Sequence, residues 1–494
     1  MATENRNLYI GGEWVDAAGG AQFPVNSPAS GDVWTSVADG SRADAQAAIE
    51  AAREAFPAWS GMAHSQRARL IHKVGDILEA RSKELQEILI DEGGSWVGKG
   101  MFETYYSSGV FRAAAAAAYQ VNGEILPSEY GKLSLIVREP LGVVSVISPW
   151  NFPMILSSRG FAPALAVGNC VVLKPSEETP VAGGIVFAEM LEEAGVPPGV
   201  FNVVTCSRDN VAEVGDELIS NPTVQGVSFT GSTAVGRQIA AQAGGLLKKC
   251  CLELGGKDAL VVLADADMER AVNAATFGSF MHNGQICMSV ERVIVDRTIA
   301  DEFTDKLVAN TSKLNVGDPR ELPNCIGPLI NQKQADKIRA QVDDAVAQGA
   351  EVLCGGGNNG LFFEPTVLGN VTRDMRIFRE ETFGPVAPVI VADGIDDAVE
   401  IANDSDYGLS AGIITRDEER GLAVARQLRT GMAHVNDCSV HDEPHVPFGG
   451  IGASGLGRHG GRQGIDTFTE TRWITLERGA RQYPPPFLMN PPGQ

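Results

Sequence analysis

The chain has 494 residues, 44% of them hydrophobic and 21% charged, which is typical of a globular protein too long for one hydrophobic core. Its formal net charge of −22 argues against nucleic acid or an anionic membrane surface as a partner. The eight cysteines are too sparse for a disulfide scaffold and lack metal-type spacing, and no apolar run is long enough for a membrane span. We therefore expect a cytoplasmic protein without a metal site.

An exposed β-hairpin is predicted at residues 120–138, where Leu133, Leu135 and Val137 alternate with polar neighbours. Residues 467–476 near the C-terminus are similarly rich in strand-forming side chains. An exposed strand edge is a liability for a monomer. We therefore expect a homodimer or a homotetramer.

The apolar run 143–148 predicts a buried strand, which ends in the sequence Pro-Trp-Asn-Phe-Pro around Asn151. The two prolines remove backbone donors and exclude a strand or helix interior, so the segment is predicted to be a stiff loop. An asparagine amide held there could donate a hydrogen bond to a developing oxyanion. An ordinary Asx-turn is the alternative.

A second strand, 171–173, leads into a loop that contains Lys174 and Glu177, followed by a helical pattern. Open α/β sheets bind ligands at the carboxyl ends of their strands. A carboxylate in that position can accept hydrogen bonds from two ribose hydroxyls. The alternatives are a solvated loop charge and a carboxylate that stabilises a helix start.

A third strand–loop–helix unit contains Gly231, Ser232 and Gly236. Glycines allow a close approach of the backbone, and the N-terminus of the following helix suits a phosphate. The unit is not a Walker loop, because no Lys-Ser or Lys-Thr follows the second glycine.

Glu253 and Cys287 carry the chemistry that the sequence predicts. Glu253 begins the sequence Glu-Leu-Gly-Gly-Lys-Asp, and Cys287 ends Gly-Gln-Ile-Cys. A thiol can attack a carbonyl, and a carboxylate can later activate water against the resulting thioester. Each residue also has an ordinary alternative, a core cysteine and a turn after a strand.

Two later segments complete the pattern. Glu381 and Phe383 precede another apolar strand and offer a carboxylate beside an aromatic ring. Residues 450–455 fit the G-x-G-x-x-G pattern, but too little chain follows them to complete half of a dinucleotide-binding sheet. We interpret this second segment as a glycine-rich turn near the substrate cavity.

In this order the segments resemble the aldehyde dehydrogenase superfamily, from the region of Trp14 to about Trp473. The resemblance implies that Cys287 is the nucleophile and Glu253 the general base. It also implies that Asn151 and the backbone N–H of Cys287 form the oxyanion hole.

The same resemblance implies a nicotinamide dinucleotide as cofactor. A carboxylate at Glu177 favours NAD+, although the charge of Lys174 leaves NADP+ possible. The residues implied to bind the dinucleotide are Trp150, Lys174, Glu177, Gly231, Ser232, Gly236, Glu381 and Phe383.

The alternation of strands and helices predicts an α/β fold with two doubly wound Rossmann-like lobes and a β-hairpin oligomerisation arm. We expect a dinucleotide-binding domain at 1–119 and 142–252 and a catalytic domain at 253–455. The arm and the C-terminal tail are expected at 120–141 and 456–494. The resemblance implies that this hairpin and tail pair across subunits.

A substrate pocket is predicted beside the nucleophile. If the residues after Asn151 form a helix, four of them share one face by their spacing. Arg159 on that face could meet a substrate carboxylate or phenolate, or pair with a structural acid. The predicted pocket residues are Phe152, Ile155, Leu156, Arg159, Ile286, Met288 and Phe448.

An apolar pocket with aromatic rings suits an aldehyde with a ring or a long hydrophobic chain. Residues 440–450, 481–484 and 157–159 resemble the benzaldehyde and vanillin dehydrogenase branch of the family. Aliphatic aldehydes, terpenoid aldehydes and semialdehydes remain possible substrates. Acyl transfer to coenzyme A is disfavoured, because Glu253 would hydrolyse the thioester, and a non-catalytic scaffold is disfavoured by the intact set of catalytic residues.

Overall fold

The computed structural model describes residues 6–479 and residue 483. The end of the predicted tail, and with it most of the segment 481–484, lies outside the described residues. None of the described helices is long and apolar enough to cross a membrane. The helices are α1 (Arg42–Ser60), α2 (His64–Ala80), α3 (Ser82–Gly93), α4 (Val97–Ala117), α5 (Pro153–Ala166), α6 (Val186–Ala194), α7 (Val211–Ser220), α8 (Thr233–Gly245), α9 (Met268–Phe280), α10 (Ala300–Thr311), α11 (Gln332–Ala347), α12 (Arg376–Arg379), α13 (Ile395–Asn403), α14 (Glu418–Ala425) and α15 (Gly461–Thr467).

The first sheet is parallel at its centre and antiparallel at both edges. Its strands, in spatial order, are β2 (Glu13–Val15), β1 (Leu8–Ile10), β9 (Phe201–Val203), β8 (Cys170–Lys174), β7 (Val143–Ile147), β10 (Val224–Thr230), β11 (Lys249–Glu253) and β21 (Gly455–Leu456). The chain runs from β7 outward to β8 and β9, then returns to place β10 on the other side of β7. The order therefore reverses between β7 and β10, which is where open α/β sheets bind ligands.

The second sheet is also mostly parallel. Its strands, in spatial order, are β14 (Glu351–Cys354), β17 (Thr366–Gly369), β18 (Val386–Ala392), β13 (Val290–Asp296), β12 (Asp258–Val262), β19 (Ala411–Ile414) and β20 (His434–Val435). Along β12, Ala259 and Val261 pack into one hydrophobic cluster, and Leu260 and Val262 pack into another. Both faces of the sheet are therefore covered, which explains the continuous apolar runs of its strands. The predicted α/β fold is confirmed.

The predicted hairpin and tail form a third sheet, in which β22 (Thr469–Leu476) and β5 (Glu124–Leu126) flank β6 (Leu133–Pro140). β22 pairs with β6 of its own chain, antiparallel and over its whole length. The hairpin and the tail therefore pair with each other within the chain, and the implied pairing of this arm across subunits stays a prediction. The oligomeric state and the domain boundaries stay predictions.

The glycine-rich segment 450–455, predicted to lie near the substrate cavity, begins two residues after Phe448, a lining residue of that cavity. It does not line the apolar cavity described below. The Ser454 hydroxyl donates to the Gly255 carbonyl (2.7 Å), and the Thr233 hydroxyl donates to the Ala453 carbonyl (3.0 Å). The segment lies beside β11 because its last residue begins β21, the edge strand of the first sheet. Two short hairpins, β3 (Gln22–Asn26) with β4 (Val33–Ala38) and β15 (Asn358–Asn359) with β16 (Phe362–Phe363), complete the fold.

Candidate active site

A polar cleft of about 180 Å³ opens at the point where the order of the first sheet reverses. It is formed by the carboxyl ends of β7, β10 and β11 on one side and by α11 and the residues before β18 on the other. Its lining residues are Pro149, Trp150, Asn151, Leu156, Thr230, Gly231, Ser232, Glu253, Leu254, Gly255, Cys287, Gln334, Lys337, Glu381 and Phe383.

The turn between β10 and α8 has the construction of a phosphate-binding turn. Ser232 is the N-cap of α8, and its hydroxyl accepts the Val235 N–H at 3.4 Å. A Cβ on Gly231 would lie 2.5 Å from the Phe229 ring, and one on Gly236 would lie 2.3 Å from the Leu254 side chain. Only glycine therefore allows the turn and the close packing of α8 on β11.

Lys174 and Glu177 lie at the end of β8, beside the cleft but outside its enclosed part. The Lys174 ammonium is buried and lies 3.8 Å from the Glu177 carboxylate. The exposed Arg208 guanidinium lies 2.8 Å from the other Glu177 oxygen. The Glu177 carboxylate is thus held between two cations at the place predicted for a ribose.

The opposite wall of the cleft is built from Glu381, Phe383 and Trp150. The Gly256 N–H donates to Glu381 Oε1 at 3.1 Å, and the rings of Trp150 and Phe383 meet edge to face at 5.5 Å. Burial, reinforced by the nearby Glu291 carboxylate, raises the pKa of Glu381 to about 7. The charged, glycine-lined and aromatic parts of the cleft together fit a nicotinamide dinucleotide.

Glu253, Cys287 and Asn151 meet at the inner end of this cleft. Glu253 is the last residue of β11, and burial raises its pKa to about 8, against the lowering effects of the Cys287 thiol and the Arg159 guanidinium. Burial and then the Glu253 charge raise the pKa of the Cys287 thiol well above its usual value. Asn151 donates one amide N–H to the Gln285 carbonyl at 2.9 Å, which fixes the direction of the other.

The backbone before Cys287 adopts a left-handed turn. His282, Asn283 and Gly284 have φ values of 51°, 58° and 66°. This conformation costs about 1–2 kcal/mol for each non-glycine residue. The Asn283 amide compensates by donating to the carbonyls of Gly327 and Pro328 at 2.9 and 2.8 Å. The turn fixes the position of the thiol relative to Asn151.

Helix α5 begins directly after the Asn151 loop. Pro153 occupies its first turn, where the missing N–H costs nothing. The buried Glu103 carboxylate of α4 accepts the Met154 N–H at 2.8 Å and is itself paired with the buried Lys99. The Glu103 carboxylate of α4 thus accepts a free backbone N–H at the start of α5 and fixes the orientation of that helix.

An apolar cavity of about 440 Å³ reaches Cys287 from the side opposite the polar cleft. All seven pocket residues predicted from the sequence line it: Phe152, Ile155, Leu156, Arg159, Ile286, Met288 and Phe448. Asn151, Leu156 and Cys287 line both this cavity and the polar cleft. The thiol therefore lies where the two spaces meet.

The sequence did not reveal the far wall of this cavity. Phe102 and Tyr106 lie one turn apart on α4, which is the only sequence pattern that could have suggested them. The unpredicted lining residues are Trp96, Gly98, Phe102, Tyr106, Phe277, Met281, Val440, His441 and Asp442.

Arg159 pairs with an acidic residue of the protein, which is one of the two roles that the sequence left open for it. Its guanidinium forms an ion pair with the Asp442 carboxylate and donates to the Tyr106 hydroxyl at 2.6 Å. It also lies over the Phe448 ring at 4.4 Å. The cavity therefore contains the Arg159–Asp442 pair within walls that are mainly apolar, with Asn151 and His441 as further polar lining residues.

Comparison with known proteins agrees with this geometry. The model of the aldehyde dehydrogenase family matches residues 14–474. A vanillin dehydrogenase of Pseudomonas fluorescens is 43% identical over 480 residues, covering 97% of this chain and 99% of the relative. A benzaldehyde dehydrogenase (NAD(+)) of Pseudomonas putida is 43% identical over 475 residues, covering 95% and 96%. The crystal structure of a salicylaldehyde dehydrogenase from Pseudomonas putida G7 complexed with salicylaldehyde is 42% identical, with a TM-score of 0.95 and coverage of 97% and 99%.

Proposed function

The chain belongs to the aldehyde dehydrogenase family, and from that premise we propose that it oxidises aromatic aldehydes to carboxylic acids, with NAD+ preferred over NADP+. The observation that carries this proposal is the position of Cys287 between a polar cleft and an apolar cavity lined by aromatic rings. The cavity volume of about 440 Å³ lies within the usual range of small-molecule sites. The relatives named above as vanillin and benzaldehyde dehydrogenases support an aromatic substrate.

In the proposed mechanism the aldehyde ring lies between Phe152 and Phe448, and its carbonyl points to the Cys287 sulfur. Attack by the sulfur forms a thiohemiacetal. The free amide N–H of Asn151 donates to the developing oxyanion, and the loss of one such donor typically raises the barrier by roughly 3–4 kcal/mol. A dinucleotide held by the residues of the polar cleft, among them Ser232, Glu381 and Phe383, would supply the acceptor for the hydride.

Glu253 then acts on the thioester that remains on Cys287. Its carboxylate takes a proton from water, and the resulting hydroxide releases the carboxylic acid. A pKa of about 8 makes this carboxylate a much stronger base than an ordinary glutamate. Glu253 Oε1 is buried and has no hydrogen-bond partner among residues 6–479, so it is free to hold that water.

The test of this function is the formation of reduced dinucleotide by the purified protein from NAD+ with benzaldehyde, hexanal or succinic semialdehyde. Turnover fastest with benzaldehyde supports the proposal. A preference for hexanal or the semialdehyde contradicts the aromatic assignment but agrees with the proposed oxidation of an aldehyde through a thioester. A requirement for added coenzyme A contradicts hydrolysis as the final step.

The hydrolysis of the thioester is expected to accelerate as the pH rises through about 8. Burial raises the pKa of Glu253 to about 8, so below that pH the carboxyl group is protonated and cannot accept a proton. The rate then falls about tenfold per pH unit. Acid release in a single turnover, measured by rapid quenching between about pH 6 and 9.5, checks this dependence. A rate constant that stays level over this range would rule out Glu253 as the base.

Replacement of Glu177 by glutamine is expected to shift the enzyme towards NADP+. The carboxylate repels a ribose 2′-phosphate, whereas the neutral amide leaves the neighbouring Lys174 and Arg208 free to attract it. We expect the ratio of kcat/KM for NADP+ to that for NAD+ to rise about tenfold or more, the effect of roughly 1.4 kcal/mol. Glu192→Gln, the same change on α6 at a carboxylate that accepts from the Trp14 indole at 3.2 Å, is the matched control and should leave the ratio unaltered. An unaltered ratio in Glu177→Gln itself would show that Glu177 does not determine the choice between NAD+ and NADP+.

A further inference from the structure

One oxygen of the Asp442 carboxylate forms an ion pair, and the other has no hydrogen-bond partner among the described residues. Asp442 Oδ2 forms the ion pair with Arg159, while Oδ1 is buried and has no hydrogen-bond partner among the described residues 6–479. The side chain is 11% exposed and belongs to the lining of the apolar cavity. A buried, unpaired carboxylate oxygen is costly, because it has lost water and gained no donor in return.

The surroundings of this oxygen decide what kind of group it can bind. The carboxylate forms an ion pair with the Arg159 guanidinium, and carboxylate oxygens are hydrogen-bond acceptors. The Tyr106 hydroxyl beside the pair accepts a hydrogen bond from Arg159 at 2.6 Å and is itself hydrogen-bonded to the Asp442 carboxylate, whose Oδ1 stays without a donor among residues 6–479. The other lining residues are mainly apolar or aromatic, with Phe448 stacked on the guanidinium; of the polar ones, Asn151 lies at the thiol and His441 pairs with Asp437 and Glu443. A ligand therefore has to bring its own donor to Asp442.

We propose that Asp442 is a specificity-determining residue, which accepts a hydrogen bond from a hydroxyl group on the ring of the substrate and so selects hydroxylated aromatic aldehydes. This inference rests on the proposed oxidation of aromatic aldehydes. The aldehyde group occupies the Cys287 end of the cavity, and the ring hydroxyl faces the carboxylate. An ether or a halogen at the same ring position has no proton to donate and leaves Oδ1 unpaired.

The test compares three kinds of substrate in two proteins. The kcat/KM values of benzaldehyde, of the three hydroxybenzaldehyde isomers and of the three fluorobenzaldehyde isomers are measured for the wild type and for Asp442→Asn. We expect the variant to lose about 10- to 100-fold more for the best hydroxy isomer than for benzaldehyde and the fluoro isomers. Comparing the two proteins cancels the intrinsic reactivity of each aldehyde.

A loss of the same factor for all three kinds of substrate would overturn the inference, as would an unchanged ratio of hydroxy to fluoro isomers. Asp437→Asn is the matched control, because Asp437 lies in the same loop, pairs with His441 and does not line the cavity. It should leave the ratio unaltered. If the wild type oxidises no aromatic aldehyde, the proposed function itself fails, which is a different outcome from benzaldehyde turnover without hydroxyl selectivity.

A second measurement does not depend on the folding of the variant. Phenol and fluorobenzene, which cannot react, are compared as competitive inhibitors of benzaldehyde oxidation by the wild type. We expect phenol to inhibit at least about tenfold more tightly, because it alone brings a donor to Asp442. Equal inhibition by the two compounds would overturn the inference.

Discussion

Replacement of Cys287 by alanine is expected to abolish aldehyde oxidation, with a loss in kcat of more than about 10⁴-fold. The sulfur is the one nucleophile that lies in both the polar cleft and the apolar cavity. Alanine is smaller and apolar, so the cavity walls and the dinucleotide cleft should keep their shape. The rate of reduced-dinucleotide formation from NAD+ and benzaldehyde measures the loss, and calorimetric titration with NAD+ measures whether the cleft still binds.

Cys250 provides the matched control for this substitution. It is a free cysteine of β11, half-buried like Cys287, but it lines neither the cleft nor the cavity. Cys250→Ala should oxidise benzaldehyde at the wild-type rate. Oxidation by Cys287→Ala within tenfold of the wild type would show that another group attacks the aldehyde.

Replacement of Glu253 by glutamine is expected to allow one turnover and then to stall. Hydrolysis loses its general base, which slows the steady state by about 10²- to 10⁴-fold. The first turnover should survive above about pH 8, where Glu253 is ionised, because its charge is, after burial, the largest factor that raises the pKa of the Cys287 thiol. Removing that charge makes the thiolate easier to form. A stopped-flow trace should therefore show a burst of one reduced dinucleotide per active site.

Hydroxylamine separates this explanation from general damage to the site. It attacks a thioester without needing a base to activate it, so it should restore turnover in Glu253→Gln. Steady turnover of the variant at the wild-type rate without hydroxylamine would exclude the assigned role. A variant with neither a burst nor a response to hydroxylamine would place Glu253 in the first half of the reaction instead.

The wall of the cavity on α5 could be predicted because its pattern is local. Phe152, Ile155 and Arg159 recur at helical spacing after a proline-bounded loop, and the structure places a helix there with these residues facing the cavity. The parallel sheets could be predicted for the same reason, since their strands are short apolar runs separated by helical segments.

The other walls could not be predicted, because periodicity shows which residues share a face but not which faces meet. Asp442 lies 283 residues from Arg159 along the chain, and the two meet only through the order of strands in both sheets. The same limit explains the arm: strand propensity indicated β6 and β22, but their pairing within one chain depends on where α15 directs the tail. A short loop with a buried charge carries no periodic pattern at all.

The left-handed turn before the nucleophile also determines where this enzyme has room to acquire new substrates. A Cβ on Gly284 would lie 2.2 Å from the Gly384 carbonyl oxygen, so no side chain can enter there without displacing backbone. Two cavity-lining segments, Phe102 with Tyr106 on α4 and the loop at 440–442, shape the cavity without supporting the thiol. Mutant libraries in those two segments can therefore explore other aldehydes while the reaction itself stays the same, and libraries in the turn should yield mostly inactive protein.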